Sequence, residues 1–400
     1  MIYTIQAPSR VQATVRLPAS KSISNRVLIL NALSNSPYAV ENLSDSDDTR
    51  VLQQALQSAG PGFDIGAAGT SMRFLTAYLS QLPPPGRPFP WTITGSERMK
   101  NRPIGLLVEA LRRCGAEIEY LGKEGFPPLR IRGKRLPGGT VHLDGGVSSQ
   151  YISALLMIAP GLQNGLRLCL EGRVISQPYI RMTLGLMEQF GVQAHVHPPV
   201  IEIPPQNYRP LPFRVESDWS AASYWQEIQA LAPENSRIEL LGLEKNSLQG
   251  DAKVESLFEQ LSAHPGGSGC FSYDFVDEPD LAQTLVVTCC LTQIPFRFTG
   301  LQSLRIKETD RLAALQTELR KLGYVLHIAS GHVLEWTGER CTPEPQPIIA
   351  TYEDHRMALA FAPVCLKTGS IRIAHPEVVG KSYPRYWDDL AAAGFIITEN

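Results

Sequence analysis

The feature that most limits how this chain can fold is a long-period repeat of helix, glycine and strand. Amphipathic helical runs end on a glycine at ALQSAG (Gly60), LVEALRRCG (Gly115), LGLMEQFG (Gly191), LQTELRKLG (Gly323) and LAAAG (Gly394), with SLFEQLSAHPGG around Gly266 as a degenerate sixth. Glycine stops a helix there because it takes the left-handed C′ conformation without steric cost. β-like runs such as AEIEYL, VQAHV, YVLHI and FIIT follow most of them. A second series interleaves: SNRVLILNALS, TSMRFLTAYLS, SQYISALLMIA, WSAASYWQEIQALA, DLAQTLVVTCC and DHRMALAFAPVCL. Helices apolar nearly all round are buried. The glycines recur at roughly 55 to 75 residues, beyond usual solenoid periods. Six such units predict an α/β protein, either as two domains of three units or as a closed ring. The 400 residues, 43% of them hydrophobic, supply core enough for two or three domains.

Composition removes several classes. Net charge is −2 and only 19% of residues are charged, so general nucleic-acid binding is disfavoured and an anion site must be a local cluster. No apolar run approaches the roughly 20 residues a membrane span needs. The N-terminal MIYTIQAPSRVQATVRLPAS alternates like a strand and lacks a signal-peptide core. The seven cysteines (Cys114, Cys169, Cys270, Cys289, Cys290, Cys341 and Cys365) form no CxxC or zinc-type spacing. They read as buried reduced thiols of a cytoplasmic protein.

Chemistry gathers where the buried helices begin. In or before their first turns lie Lys21, Ser22 and Arg26; Gly69, Thr70 and Arg73; Ser148, Ser149 and Gln150; Asp218; Asp280; and His355 with Arg356. Ser, Thr and Asp there are ordinary N-caps. Lys and Arg oppose the macrodipole, and capping does not explain them. N-termini gathered by a repeat would pool free N–H groups, dipoles and cations into a pocket for a small polyanion. The densest stretch is SLRIKETDRLAALQTELRKLG, from Ser303 to Gly323. It sets Arg305, Lys307, Glu308, Asp310 and Arg311 ahead of a helix that Thr309 or Asp310 caps.

Lys21 to Arg26 offers an ammonium, hydroxyls and a guanidinium in one turn, without the glycine spacing of a P-loop. Asp47 and Asp48 read as helix caps or partners of a nearby Arg. Gly66 to Arg73 is a glycine turn whose N–H groups can approach an anion. Arg98, Lys100 and Arg102 precede Pro103, which fits the first position of a helix. Ser176 is a neutral donor like Ser148 and Ser149. Asp280 reads either as an N-cap or as a general base beside a sugar-like hydroxyl. Lys381 is a late cation.

In order, LPASKSISNR, GAAGTSMR, RMKNRPIG, SSQYISALLM, SQPYI, SDWSAASY, EPDLAQT, RIKETDRL, YEDHRMA and GKSYP resemble the 5-enolpyruvylshikimate-3-phosphate synthase family of enolpyruvyl transferases. Ten motifs in register over nearly the whole chain are specific. The resemblance implies two similar domains, 1–19 with 217–400 and 20–216. Each holds three βαβαββ-like repeats with buried helices, an inside-out α/β barrel, and the active site lies in the interdomain cleft. It implies transfer of the enolpyruvyl group of phosphoenolpyruvate to the 5-hydroxyl of shikimate 3-phosphate. The route is addition then elimination, with no metal or cofactor, in a cytoplasmic monomer without nucleic-acid or membrane partners. By the same resemblance Lys21, Ser22, Arg26, Ser148, Ser149, Gln150, Ser176, Asp280 and Lys307 would hold shikimate 3-phosphate. Lys21, Gly69, Arg102, Gln150, Arg311, Arg356 and Lys381 would hold phosphoenolpyruvate. Asp280, Lys307, Glu308 and Lys21 would be catalytic.

The chain departs from the family pattern. GAAGTSMRF puts Ala67 and Phe74 where the family has Asn and Pro, Ser303 stands where Asn is common, and the segment from Arg50 to Gly66 is short by about a strand pair. The rival enolpyruvyl transferase, acting on UDP-N-acetylglucosamine, carries a loop cysteine that TGSERMKNRPIG lacks. A catalytically silent anion binder would not need Lys21, Asp280, Lys307, Glu308 and Arg356 intact.

Overall fold

The computed structural model describes residues 1–58, 60–82, 90–264 and 269–400. The glycine expected at 266 lies outside them. The chain divides into two compact units, Met1–Pro18 with Ser217–Asn400, and Ala19–Glu216. Where the chain leaves and re-enters, Ser20 N donates to Glu216 O and Asp218 N to Pro18 O, each at 2.8 Å and each within its own unit.

The opening strands β1 (Ile2–Gln6) and β2 (Gln12–Arg16) belong to the unit made from the chain ends. The inserted unit follows with α1 (Lys21–Leu33), α2 (Asp47–Gln57), β3 (Gly62–Asp64), α3 (Gly69–Gln81), β4 (Trp91–Thr94), α4 (Glu97–Lys100), α5 (Gly105–Arg113), β5 (Glu117–Tyr120) and β6 (Leu129–Arg132). It closes with β7 (Gly139–Asp144), α6 (Ser149–Ile158), β8 (Leu166–Glu171), α7 (Gln177–Gln189), β9 (His195–His197) and β10 (Val200–Ile203). Its two sheets, β3-β4-β6-β5 and β7-β8-β10-β9, share one plan. A buried helix, α3 or α6, spans a parallel pair; an amphipathic helix, α5 or α7, then leads into an antiparallel hairpin.

The other unit repeats the plan. It continues with α8 (Trp219–Leu231), β11 (Arg237–Leu241), α9 (Val254–Ser262), β12 (Phe271–Asp274), α10 (Ala282–Leu291), β13 (Phe296–Thr299), α11 (Arg311–Lys321), β14 (His327–Ala329) and β15 (Val333–Trp336). It ends with β16 (Ile348–Ile349), α12 (His355–Phe361), α13 (Cys365–Thr368), β17 (Ser370–Ala374), α14 (Tyr386–Ala392) and β18 (Ile396–Glu399). The sheets are β12-β13-β15-β14, β16-β17-β1-β18 and the parallel pair β11-β2. The whole inserted unit interrupts the β2–α8–β11 crossover. Every residue of α10 is buried, and the helix packs against both α8 and α12. Its sequence has no polar face to turn to water, so the centre of the unit is where it can sit.

One repeat in each unit is shortened. α2 runs to β3 through residues 58–61, and α9 to β12 through 263–270; in neither does a hairpin intervene among the described residues. The short 50–66 segment signals the first. The second was not legible, because the run around Gly266 still looks like a helix stop. All seven cysteines are free, but Cys270 is exposed and Cys169 and Cys341 are partly so, which corrects the reading of a uniformly buried set. Among the described residues no helix is long and apolar enough to cross a membrane.

Gly323 shows why the repeat punctuates itself with glycine. Its φ is +89°, and a Cβ would lie 2.9 Å from Cys341 O. Gly323→Ala should therefore destabilise the unit by about 1–3 kcal/mol, whereas Gly60→Ala, without positive φ, should stay within about 0.5 kcal/mol. Denaturant midpoints check both.

Candidate active site

The charged stretch ahead of α11 folds around Arg311. Asp310 is the N-cap, accepting from Ala313 N at 3.2 Å, and a 3-10 turn, Gln302–Ile306, precedes it. Arg311 opens the helix and is 1% exposed. A buried guanidinium must find acceptors for its N–H groups, and three carboxylates provide them. Nε donates to Asp354 Oδ2 at 2.7 Å, Nη1 to Asp280 Oδ1 at 3.0 Å and Nη2 to Glu308 Oε2 at 2.9 Å. Arg356 Nη2 lies 2.9 Å from Asp280 Oδ2, Lys381 Nζ 3.1 Å from Glu308 Oε1 and Lys307 Nζ 3.9 Å from Asp280 Oδ1. Six residues singled out in the sequence thus share one network: Asp280, Lys307, Glu308, Arg311, Arg356 and Lys381.

Asp280 is not the cap that its position suggests. It sits within the 3-10 turn Pro279–Leu281, whose N-cap is Glu278, while Leu281 is the N-cap of α10. Both of its oxygens face cations, which bind a carboxylate more strongly than neutral N–H groups do. Burial opposes its charge, but Arg356, Lys307 and Arg311 outweigh burial and hold its carboxyl well below the usual range. Burial pushes the Lys307 ammonium down, Asp280 offsets part of this, and Arg311 adds to the lowering. Lys307 keeps 30% of its side chain accessible, so its desolvation is partial.

Four contributors escaped the sequence reading. Asp354, fully buried, is the N-cap of α12 and accepts from Arg356 N at 2.9 Å while its second oxygen takes Arg311. The Asp-His-Arg triplet signals the cap but not the ion pair. Arg356 Nη1 donates to Tyr224 Oη at 3.0 Å. Burial pushes the Tyr224 hydroxyl up to about 12, so it remains a phenol. Behind them Asp251, bonded to Ser220 Oγ, is raised to about 7, by burial first and then by Asp280. Ser220, in the first turn of α8, is held in turn by Asp218, the N-cap of that helix.

The inserted unit carries the other predicted residues. Lys21 opens α1, capped by Ser20, and its Nζ lies 4.0 Å from Asp48 Oδ2. Asp48 is thus a partner of Lys21, while Asp47 pairs with Arg50 on the surface. Ser22 lends its carbonyl to Arg26 Nη1 at 2.9 Å. Arg26 is 3% exposed and also donates to Thr183 Oγ1 at 2.7 Å and Ser153 Oγ at 3.0 Å. Its guanidinium lies 5.5 Å from the centre of the Phe74 ring. Burial lowers its pKa to about 10. Ser148 caps α6, Ser149 opens it, and Gln150 Nε2 reaches Thr70 Oγ1 on α3 at 3.2 Å. Ser176 stands in the left-handed region at the start of α7, with φ of 53° and no cap bond.

Two expectations in this unit change. Arg73 spends its guanidinium on Gly69 O at 3.1 Å and Pro103 O at 3.0 Å and is 4% exposed, so it braces the turn. Pro103 does not open a helix. Arg98 and Lys100 lie in α4, a single turn capped by Ser96, and α5 begins later at Gly105. Arg102 falls between the two helices. Its Nη1 would be 2.7 Å from a Cβ on Gly69, so only glycine lets this guanidinium lie against the first turn of α3.

Known proteins resemble this one throughout. The sequence profile of EPSP synthase (3-phosphoshikimate 1-carboxyvinyltransferase) matches residues 5–62 and 57–390. Its two pieces meet where α2 runs directly to β3. A 3-phosphoshikimate 1-carboxyvinyltransferase of Bacteroides fragilis is 54% identical over 409 residues, covering 99% of this chain and 98% of that protein. One of Vibrio cholerae is 37% identical over 431 residues, covering 97% and 98%. The structure of EPSP synthase from Acinetobacter baumannii superposes with a TM-score of 0.77 at 20% identity over the full length of both chains, which establishes the shared fold. By profile, by identity and by coverage, the chain belongs to the EPSP synthase (3-phosphoshikimate 1-carboxyvinyltransferase) family.

Proposed function

We propose that the protein transfers the enolpyruvyl group of phosphoenolpyruvate to the 5-hydroxyl of shikimate 3-phosphate and releases phosphate. The step would serve chorismate and aromatic amino acid synthesis in the cytoplasm. Family membership supports the reaction. The observation that carries the assignment of roles is the Arg311 network, which joins Asp280 and Glu308, as candidate proton carriers, to four cations suited to a small polyanion.

In this reading Arg311, Arg356 and Lys381, with Lys21, Gly69, Arg102 and Gln150, bind phosphoenolpyruvate. Ser22, Arg26, Ser148, Ser149, Gln150 and Ser176, with Lys21, Asp280 and Lys307, bind shikimate 3-phosphate. The reaction is carried out by a monomer. Asp280 takes the hydroxyl proton as the 5-oxygen bonds to C2 of phosphoenolpyruvate, and C3 receives a proton from Glu308 or Lys307. In elimination C3 returns a proton to that pair, the C2–O bond to phosphate breaks with its electrons on oxygen, and inorganic phosphate leaves. The free network explains the timing. Asp280 and Glu308 are held by the very cations assigned to phosphoenolpyruvate. An arriving anion competes for those cations, which raises the proton affinity of both carboxylates, so that Asp280 can take the hydroxyl proton and Glu308 can carry the proton that C3 receives.

Purified protein should release phosphate from phosphoenolpyruvate with shikimate 3-phosphate and not with UDP-N-acetylglucosamine; release only with the nucleotide sugar overturns the reading. Glu308→Gln should lower kcat by about 10²–10⁴-fold with little change in substrate binding, and near-normal turnover removes Glu308 from proton transfer. Gly69→Ala should raise KM for phosphoenolpyruvate by about tenfold or more, because Arg102 must move, while KM for shikimate 3-phosphate stays close to its original value. Steady-state kinetics with each substrate varied in turn measures both.

A further inference from the structure

The turn before α12 holds its backbone in a conformation its residues do not favour. Tyr352 and Glu353 have φ of 53° and 55°. Two successive side-chain-bearing residues in the left-handed region persist only where the surroundings over-determine them. They directly precede Asp354, the carboxylate that reaches Arg311 Nε with one oxygen and Arg356 N with the other. The strain therefore sits one residue from the joint between the two arginines.

The same helix that carries Arg311 fastens this turn from the other side. Glu318, fully buried two turns along α11, accepts from Tyr352 Oη at 2.6 Å and from Ala350 N at 3.1 Å. Lys321 Nζ donates to Glu318 Oε2 at 2.6 Å and to Ile348 O at 2.9 Å. α11 thus grips the segment 348–354 at three places, through Lys321 at Ile348, Glu318 at Ala350 and Tyr352, and Arg311 at Asp354. A turn relaxed to right-handed φ would re-aim the chain at Asp354, because a change in φ and ψ rotates everything that follows. The hydrogen bond from Tyr352 to Glu318 resists that relaxation.

We propose that Glu318 and Tyr352 are positioning residues for the arginine pair: their hydrogen bond holds the left-handed turn that aims Asp354 between Arg311 and Arg356. The inference rests on the reading of those arginines as phosphoenolpyruvate ligands. It concerns neither proton transfer nor direct contact with substrate.

Tyr352→Phe removes one hydroxyl from a side chain that is 37% exposed, so the variant should fold. Its kinetics, those of Glu318→Gln and Arg356→Lys, and amide exchange across residues 350–358 would be measured on the full chain. Tyr352→Phe should raise KM for phosphoenolpyruvate about five- to tenfold, leave KM for shikimate 3-phosphate within about twofold, and speed exchange at Arg356 N. Glu318→Gln keeps an acceptor for Tyr352 but turns an amide NH2 toward Ala350 N and Lys321 Nζ, so it should raise KM for phosphoenolpyruvate at least as much as Tyr352→Phe does. Faster exchange with unchanged KM for phosphoenolpyruvate, or an equal rise for both substrates, overturns the proposal. If Arg356→Lys also leaves KM for phosphoenolpyruvate unchanged, the ligand assignment falls and the inference with it. If only Tyr352→Phe leaves it unchanged, the positioning role alone falls.

Discussion

The buried guanidinium of Arg311 is the constraint on which the candidate site depends. Its nitrogens are held by Asp354, Asp280 and Glu308. Those carboxylates come from three places in the chain: the cap of α12, the turn before α10 and the loop before α11 itself. A cation removed from water is tolerated only when it is paired and hydrogen-bonded, and removing one partner of such a pair costs roughly 3–5 kcal/mol. Arg311 therefore ties the three segments to one another, and losing one carboxylate would leave a buried charge uncompensated. Lys307, Arg311, Arg356 and Lys381 outnumber by one the three carboxylates that Arg311 holds, which suits the network to the anion proposed for it.

The inserted unit solves the same problem with neutral groups. Arg26 is surrounded by hydroxyls and backbone carbonyls rather than carboxylates, and burial weakens its hold on its proton. No carboxylate is among those contacts, which suits Arg26 to the anion-binding role proposed for it. Phe74, which replaces the family's proline, lies near that guanidinium. The departure thus bears on the residue assigned to shikimate 3-phosphate. At Gly69 the absence of a side chain matters more than any contact, because Arg102 occupies the space a methyl group would need.

The repeat tolerates loss at its edges. In each unit one amphipathic helix, α2 or α9, passes to the next sheet without its hairpin among the described residues. The family profile breaks at the first of these places. A hairpin at the end of a repeat extends one sheet, as β6 and β5 do beside β4. Where the first repeat lacks one among the described residues, α1, α3 and α6 still contact one another.

Much of this was legible in the chain itself. The apolar runs identified the buried helices, because a helix without a polar face has only one environment open to it. Gly115, Gly191, Gly323 and Gly394 marked where helices stop, each at positive φ just past the cap, whereas α2 ends at Gln57, ahead of Gly60. Lys and Arg at helix starts pointed to anion chemistry, because capping does not call for them. Periodicity and local charge are properties of neighbouring residues, so sequence suffices for them. What only the tertiary structure decided was which distant groups meet. It made Asp280 an ion-pair partner instead of a cap, turned Arg73 and Pro103 to structural use, and brought in Asp354, Tyr224 and Glu318. Nothing local distinguishes a carboxylate that caps its own helix from one that also holds an arginine 43 residues away. The choice rests on which charges burial forces together, and burial is decided by the packing of the whole unit.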